Sequence, residues 1–192
     1  GRLYPFGKSI PSAGGTDALE RYLELRDYTF TAGGTGDVRG WESRLLGPKV
    51  PDLLVESAAD TSGVRADRYV PVSGLARITM SGELRLPFPK LSAAWATHVF
   101  LDGGRVWSPN ENYVGRDAYD QERFFFSTGF GIDRDTPVGP VRLSLGYILN
   151  PSALDVLKPQ EFIDALEDGT LSEARTAWNR RLQVHLTIGT GF

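Results

Sequence analysis

The last twelve residues of the chain alternate strictly between two kinds of side chain. The even positions from Leu182 to Phe192 are apolar except for one threonine, and the odd positions from Arg181 to Gly191 are polar or glycine. A period of two places successive side chains on opposite faces of an extended chain. The pattern therefore predicts a final β-strand over residues 181–192.

Four earlier segments repeat this alternation less strictly. They are residues 77–86, 95–107, 124–133 and 141–150. Two connections, residues 87–90 and 135–140, are tight turns. The other two, residues 108–123 and 151–180, are long and polar. Short turns at one end of the strands and long loops at the other are typical of transmembrane β-barrels. The chain therefore predicts five antiparallel strands between residues 67 and 192.

The composition of the two faces favours a membrane barrel over a soluble sandwich. The polar face is rich in Gly, Ser and Thr, whereas a soluble sheet usually turns bulky charged residues towards water. Aromatic residues near strand ends (Trp107, Tyr147, Phe192) fit the girdles at membrane interfaces. We therefore expect an all-β fold, an antiparallel transmembrane β-barrel, with a soluble β-sandwich binding module as the alternative.

One face of these strands is expected to contact lipid. Arginine at Leu145 should then destabilise the protein more than arginine at its neighbour Ser144, which is on the opposite face. The side chains expected to face lipid are Met80, Phe130, Leu145, Leu186 and Ile188.

Five strands cannot close a barrel, because the smallest single-chain membrane barrels have about eight. An open sheet in lipid would leave the backbone groups of its edge strands without hydrogen bonds. The chain also begins with Gly1 and has no signal peptide. We therefore expect residues 67–192 to supply about the last five strands, with further strands before Gly1 or from other chains.

The remaining parts of the chain show little alternation. Residues 1–66 are rich in glycine and proline, apart from a short run at 21–31 that fits a strand, and they predict a long loop region. Loops of this length usually have a function. Within residues 151–180, apolar spacings of three and four predict two short helices, at 160–167 and 171–178.

Composition and motifs exclude several classes of chemistry. The net charge of −3 is too near neutral to indicate a nucleic-acid partner, and no cysteine is present to form a disulfide or a thiolate site. In a strand, roughly 13 Å separates the Cα atoms of His98 and Asp102, too far to share a metal ion. There is no Gly-x-Ser-x-Gly motif. We therefore expect no catalytic residue, no cofactor and no metal site.

Five motifs occur together in a fixed order. They are residues 33–41 (Gly-Gly-Thr-Gly-Asp-Val-Arg-Gly-Trp, followed by Leu46-Gly47-Pro48), 82–87, 100–107, 136–147 and the terminal Phe192. Their order and spacing resemble the Val-Arg-Gly-aromatic loop, the following strands and the C-terminal aromatic sorting signal of the BamA/TamA superfamily, the bacterial surface antigen family. The resemblance covers about residues 30–192, although the excursion at 151–180 is longer than the family suggests.

The resemblance implies a larger protein in the bacterial outer membrane. About eleven earlier strands, of about 16 in the barrel, and periplasmic POTRA domains would precede this chain. The domain division that follows is a loop region at 1–66, folding back into the lumen, and C-terminal barrel strands at 67–192.

Arg39 is the residue to which the resemblance assigns a role. A solvated arginine in a glycine-rich loop is the simpler interpretation. However, Glu83 and Asp102 are on the polar face of neighbouring strands, and one guanidinium can donate directed hydrogen bonds to two carboxylates. The family is held to use this contact. The tether is therefore expected to comprise Val38, Arg39, Gly40 and Trp41 in the loop, with Glu83 and Asp102 in the strands.

The function that the resemblance implies is assembly and insertion of outer-membrane proteins. Its partners would be outer-membrane lipids, unfolded client proteins and periplasmic or lipoprotein subunits. Export of a passenger, as in two-partner secretion or lipase-fused barrels, is the alternative. Client strands would enter at a weak seam beside the last strand, because glycine weakens strand packing. The alternative is that these glycines only make room for the loop in the lumen. The residues assigned to this signal and seam are Leu186, Ile188, Gly189, Gly191 and Phe192.

Overall fold

The computed structural model describes residues 29–55, 64–88, 94–108, 123–137, 139–171 and 178–189. Within these ranges the chain is mostly antiparallel β-sheet. The strands are β1 (Lys49–Val55), β2 (Val64–Pro71), β3 (Ala76–Pro87), β4 (Trp95–Trp107), β5 (Phe125–Thr136), β6 (Gly139–Ile148) and β7 (Leu182–Ile188). The helices are α1 (Ala153–Val156) and α2 (Pro159–Glu167), and a 3-10 turn covers Trp178–Arg181. No helix in the described part of the chain is long and apolar enough to cross a membrane.

Strands β3 to β7 form one five-stranded sheet in which each strand pairs with the next along the chain. These are the five strands that the alternation predicts, so the all-β antiparallel expectation is confirmed. The last strand ends at Ile188, and Gly191 and Phe192 are outside the described residues. With seven residues, β7 is the shortest strand of this sheet.

The register of the sheet sorts the alternating side chains onto two faces. On the outer face, Phe130 is directly opposite both Val99 and Leu145, and Leu145 is opposite Val184. Leu145 is half-buried between its neighbours, whereas the other four predicted apolar positions are more than half exposed. The exposed apolar side chains of this face include Ile78, Met80, Leu84, Val99, Leu101, Phe130, Leu143, Val184, Leu186 and Ile188.

The inner face of the sheet is polar and is covered by a loop. Residues 32–46, which we call the docking loop, begin and end at a bridge between Ala32 and Leu46. The loop packs its apolar side chains against residues at the ends of β4, β5 and β6 and against the excursion after β6. This small core contains Val38, Trp41, Leu46, Val106, Phe125, Ile148, Leu154 and Phe162.

The hairpin formed by β1 and β2 was not predicted. Strand β1 lies within residues 1–66, which the sequence assigns to a loop. Strand β2 crosses the end of that region, because residue 66 falls inside β2. Pro51 and an irregularity in pairing between Pro51 and Leu53 interrupt the alternation of β1, which explains why the pattern missed it. The hairpin packs on α2, where Tyr69 contacts Phe162 edge to face at 6.4 Å.

The excursion after β6 agrees in part with its prediction. Helix α2 coincides with the helix predicted at 160–167, and its first residue is Pro159, where a missing N–H group is tolerated. Helix α1 is too short for periodicity to detect. Most of the second predicted helix, at 171–178, is outside the described residues, as is most of the strand suggested at 21–31.

Candidate functional site

The docking loop is bent sharply by residues in the left-handed region of the backbone. Gly33 has a φ of 106° and Gly34 a φ of 110°, and a Cβ on Gly33 would lie 2.7 Å from the carbonyl oxygen of Glu42. The Gly33 N–H donates to Asp37 Oδ2 at 3.0 Å, and the Gly34 N–H donates to the carbonyl of Val38 at 3.2 Å. This turn directs Arg39 towards the inner face of the sheet.

Arg39 is bound to a carboxylate on each of two neighbouring strands. Its Nε donates to Asp102 Oδ2 at 2.8 Å and its Nη2 donates to Asp102 Oδ1 at 2.9 Å, which is a two-pronged ion pair. Its Nη1 donates to Glu83 Oε2. The Arg39 side chain is 5% exposed and that of Asp102 is 0% exposed. The structure therefore brings together the three charged residues of the predicted tether.

Further contacts hold the guanidinium in one orientation. Its Nη2 also donates to Ser81 Oγ at 3.2 Å, and its Cζ lies 3.7 Å from the centre of the Phe100 ring. The backbone N–H of Arg39 donates to Asp102 Oδ2 at 3.0 Å. Burial alone would lower the pKa of the Arg39 guanidinium, but its hydrogen bonds to Asp102 and Glu83 raise that pKa above its ordinary value. Arg39 is therefore charged at every physiological pH.

A polar network continues from the tether across the inner face. Arg142 Nη1 donates to Glu83 Oε2 at 3.2 Å, and Arg142 Nε donates to Asp133 Oδ1 at 2.9 Å. His98 Nδ1 is 3.0 Å from the same Asp133 oxygen. Positive and negative side chains thus alternate along this chain of contacts, which extends over four strands. Each buried charge therefore has a partner of opposite sign.

The backbone of the docking loop lies directly against the sheet. His185 Nε2 is 2.8 Å from the carbonyl oxygen of Arg39, which joins the loop to β7. A Cβ on Gly146 would lie 2.0 Å from that same oxygen, and a Cβ on Gly40 would lie 2.5 Å from Ser127 Cβ. Glycine is needed at both positions because any side chain would separate the loop from the sheet.

Gly146→Ala should therefore displace the docking loop. The new methyl group meets backbone atoms, which cannot rotate away, so we expect a loss of about 1–3 kcal/mol in the free energy of unfolding. Gly36→Ala is the matched control, because a Cβ there meets nothing within 4 Å. Urea titration, with protease sensitivity of the loop, measures both. Equal stability of the two variants would contradict this close approach.

Trp41 contacts a second buried ion pair, which the sequence did not predict. Its indole Nε1 donates to Asp155 Oδ1 at 2.8 Å, and Lys49 Nζ donates to the same oxygen at 2.5 Å. Asp155 Oδ2 accepts from the backbone N–H and the hydroxyl of Ser152 at 2.7 and 2.6 Å. Lys49 and Asp155 are 106 residues apart in sequence, so no local pattern connects them. This pair joins the docking loop and β1 to helix α1.

Three of the residues assigned to the seam, Leu186, Ile188 and Gly189, are in or directly after β7, the edge strand of the described sheet. Within the described chain, β7 pairs with β6 alone, and Leu186 and Ile188 are 61% and 66% exposed on the outer face. Gly189 ends the strand in the left-handed region, with a φ of 94°, and its N–H donates to the carbonyl of Pro140 at 3.0 Å.

This site holds a loop against a sheet. The described strands form a meander with an exposed apolar face, and a buried arginine tethers a glycine-rich loop to the polar face. The family model of the Omp85 superfamily domain matches residues 23–190, and the chain belongs to that superfamily. The predicted BamA/TamA-type membership and the location in the bacterial outer membrane are thereby confirmed.

Among individual proteins, the chain is similar to the outer membrane protein assembly factor BamA of Neisseria meningitidis serogroup B (strain ATCC BAA-335 / MC58). The two are 27% identical over 153 residues, which is 69% of this chain. The same alignment covers 18% of the relative, so the chain spans less than a fifth of that protein's length.

Proposed function

We propose that this chain supplies the last five strands of a transmembrane β-barrel that folds and inserts other outer-membrane proteins. The observation that carries the proposal is the buried contact of Arg39 with Asp102 and Glu83 on the inner face of the sheet. It holds a loop inside what would be the lumen, while the opposite face presents rows of apolar side chains suited to lipid. The docking loop and the β1–β2 hairpin form the lumen-entering region, and β3 to β7 form the wall.

The tether and the wall have different roles in this proposal. A buried ion pair need not add net stability, because removing charges from water is costly. Its role is to specify where the docking loop sits, since the planar guanidinium of Arg39 fits only one arrangement of the two carboxylates. The loop in turn contacts His185 of β7, so its position supports the strand at the seam.

The edge of β7 is where client strands would enter. An unpaired edge offers a row of backbone donors and acceptors to another strand. We propose that a client strand pairs with β7 by β-augmentation, and that folding of the client in the bilayer supplies the free energy. No cofactor or catalytic residue is required. The clients would be unfolded outer-membrane proteins, in line with the name of the Neisseria relative, an outer membrane protein assembly factor. Periplasmic or lipoprotein subunits would assist as partners in this proposal.

Reconstitution of the intact protein tests this function. It should be incorporated into phospholipid vesicles and supplied with an unfolded outer-membrane porin, and the folded fraction of the porin followed by its resistance to SDS at room temperature. We expect faster folding than in vesicles that lack the protein. Equal rates, with the protein shown to be inserted, would refute the assembly function and favour another role for the barrel.

Leu145→Arg tests the membrane-facing surface. The side chain is on the outer face, so arginine there should lower the free energy of unfolding by about 2–4 kcal/mol, the cost of a guanidinium near the middle of a bilayer. Urea unfolding in lipid vesicles measures this loss.

The matched control for Leu145→Arg is Gln183→Arg, on the inner face of the neighbouring strand β7. Ser144 was the comparison that the sequence suggested, but it is 2% exposed and its Oγ lies 2.9 Å from His98 Nε2. Arginine at Ser144 would therefore clash whichever face meets lipid. Equal losses for Leu145→Arg and Gln183→Arg would show that the outer face is not in lipid.

A further inference from the structure

Two arginines interrupt the otherwise uncharged outer face of the sheet. Among the described positions on this face of β3 to β7, Arg105 and Arg134 are the charged side chains, and the rest are apolar, aromatic, glycine or threonine. Charges on a lipid-facing surface cost about 2–4 kcal/mol at mid-membrane and much less near the interfaces. The positions of these two arginines along the strands therefore need a physical reason.

Arg105 packs on an aromatic surface near the C-terminal end of β4, where the long connection to β5 begins. Its Cζ lies 4.2 Å from the centre of the Trp107 ring and 5.8 Å from that of Phe124. The two rings meet edge to face at 6.3 Å. The Nε of Arg105 is buried and has no hydrogen-bond partner among the described residues. In the same part of the chain no carboxylate forms a salt bridge with this arginine.

Arg134 repeats the arrangement at the other end of the sheet. It is directly opposite Trp95 in the register of β4 and β5, and its Cζ lies 4.9 Å from the centre of the Trp95 ring. Its strand leads into the tight turn between β5 and β6. The salt bridges of the described residues do not include Arg134 either. Each end of the apolar surface thus has one arginine stacked on one tryptophan of β4.

The spacing of the two pairs matches the thickness of a membrane. Arg105 is ten positions after Trp95 in β4, which is roughly 33 Å along a strand. At a strand tilt of about 40° this corresponds to roughly 25 Å along the membrane normal, the height of the apolar band of a membrane barrel. The two pairs are therefore at the levels of the two headgroup layers, the Arg105 pair on the side of the long loops.

We propose that these Arg–Trp pairs bind the phosphate groups of lipid headgroups, one in each leaflet. A guanidinium donates two parallel hydrogen bonds to a phosphate, and the flat tryptophan restricts it to an orientation in which its edge meets the headgroup. The acyl chains of the same lipid would lie along the apolar rows between the pairs. This inference rests on the proposed orientation of the outer face towards lipid.

The test uses the intact protein in detergent micelles doped with phosphatidylglycerol or with monogalactosyl diacylglycerol of the same acyl chains. Native mass spectrometry counts the lipids that remain bound. Each of the two proposed sites should retain one phosphatidylglycerol molecule: relative to the unaltered protein, we expect one fewer in Arg105→Gln, one fewer in Arg134→Gln and two fewer in the double variant, with affinity at each lost site reduced roughly tenfold or more. Arg68→Gln, which removes a charge from the 77% exposed side chain on β2, should retain both.

Several outcomes would overturn the proposal. If the unaltered protein binds the phosphate-free lipid as well as phosphatidylglycerol, the sites do not recognise phosphate, and this result does not depend on any variant folding. Displacement of the lipids by inorganic phosphate would show that the acyl chains contribute nothing and would refute a lipid site. A protein that fails to insert into vesicles would refute the barrel itself, whereas an inserted protein without phosphate preference refutes the lipid sites alone.

Discussion

Arg39→Ala should produce the largest loss of stability of any single substitution in the docking loop. It leaves Asp102, which is fully buried, without a cation, and Glu83 with only its contacts to Arg142 and Arg85. Removing one partner of a buried ion pair costs about 3–5 kcal/mol, because the remaining charge stays out of water. We expect the loop to leave the sheet and the rate of client folding to fall with it. Urea unfolding and the vesicle folding assay measure the two effects.

Two comparisons separate the tether from a general effect of charge. Arg77 also links the loop to β3, through Asp37 at 3.3 Å, but its side chain is 41% exposed. Exposed pairs contribute about 0–1 kcal/mol, so Arg77→Ala should change little. Arg39→Lys keeps the charge but lacks the planar fork that reaches two carboxylates, and should remain defective. A loss in Arg39→Ala no greater than that in Arg77→Ala would show that the buried contact does not hold the loop.

Closing the proposed seam with a disulfide should strongly slow assembly by the intact protein. One cysteine replaces Thr187 on β7 and another replaces the facing residue of the first strand, and the absence of native cysteines keeps the pair unambiguous. If client strands enter by pairing with the edge of β7, the oxidised protein should lose at least roughly tenfold in client folding rate, since that edge is no longer free. Adding reductant should restore the rate.

A second disulfide controls for the chemistry of oxidation. Ile132 and Leu143 are direct partners on β5 and β6, so cysteines at both positions link two strands away from the seam. This variant should assemble clients at the normal rate in both redox states. Full activity of the locked Thr187 variant, with the disulfide shown to be complete, would eliminate the seam as the route of entry.

The strands and their faces could be predicted because they depend on a local pattern. In β3 to β7 the period of two is visible within each segment, and the polar side chains of Ser81, Asp102 and His185 are on the face that the alternation assigns to them. Arg39 was singled out because its motif resembles that of a known family. Its two acidic partners followed from being on adjacent strands with the same orientation.

Other features could not be predicted, because they depend on residues that are distant in sequence. Pro51 and the irregular pairing beside it hide β1 from any test of periodicity. Asp155 has its partners 106 and 114 residues away, at Lys49 and Trp41, and nothing near it in sequence marks it as buried. The alternation marks Gly146 only as a small residue on the polar face, and nothing in the sequence indicates that the carbonyl of Arg39 lies against it.

The sequence by itself determined the antiparallel strands, which face of each is apolar, and the family of the chain, because alternation and motif spacing are properties of neighbouring residues. The resemblance also implied that the loop folds over the polar face and that Arg39 meets Glu83 and Asp102, but only the tertiary structure decided how closely the loop backbone approaches the sheet. The docking loop lies against β4 to β7 because glycines at positions 40 and 146 allow backbone contact there, and because buried carboxylates require the cation of Arg39. Such contacts form between segments that meet only in the folded protein, and alternation carries no information about them.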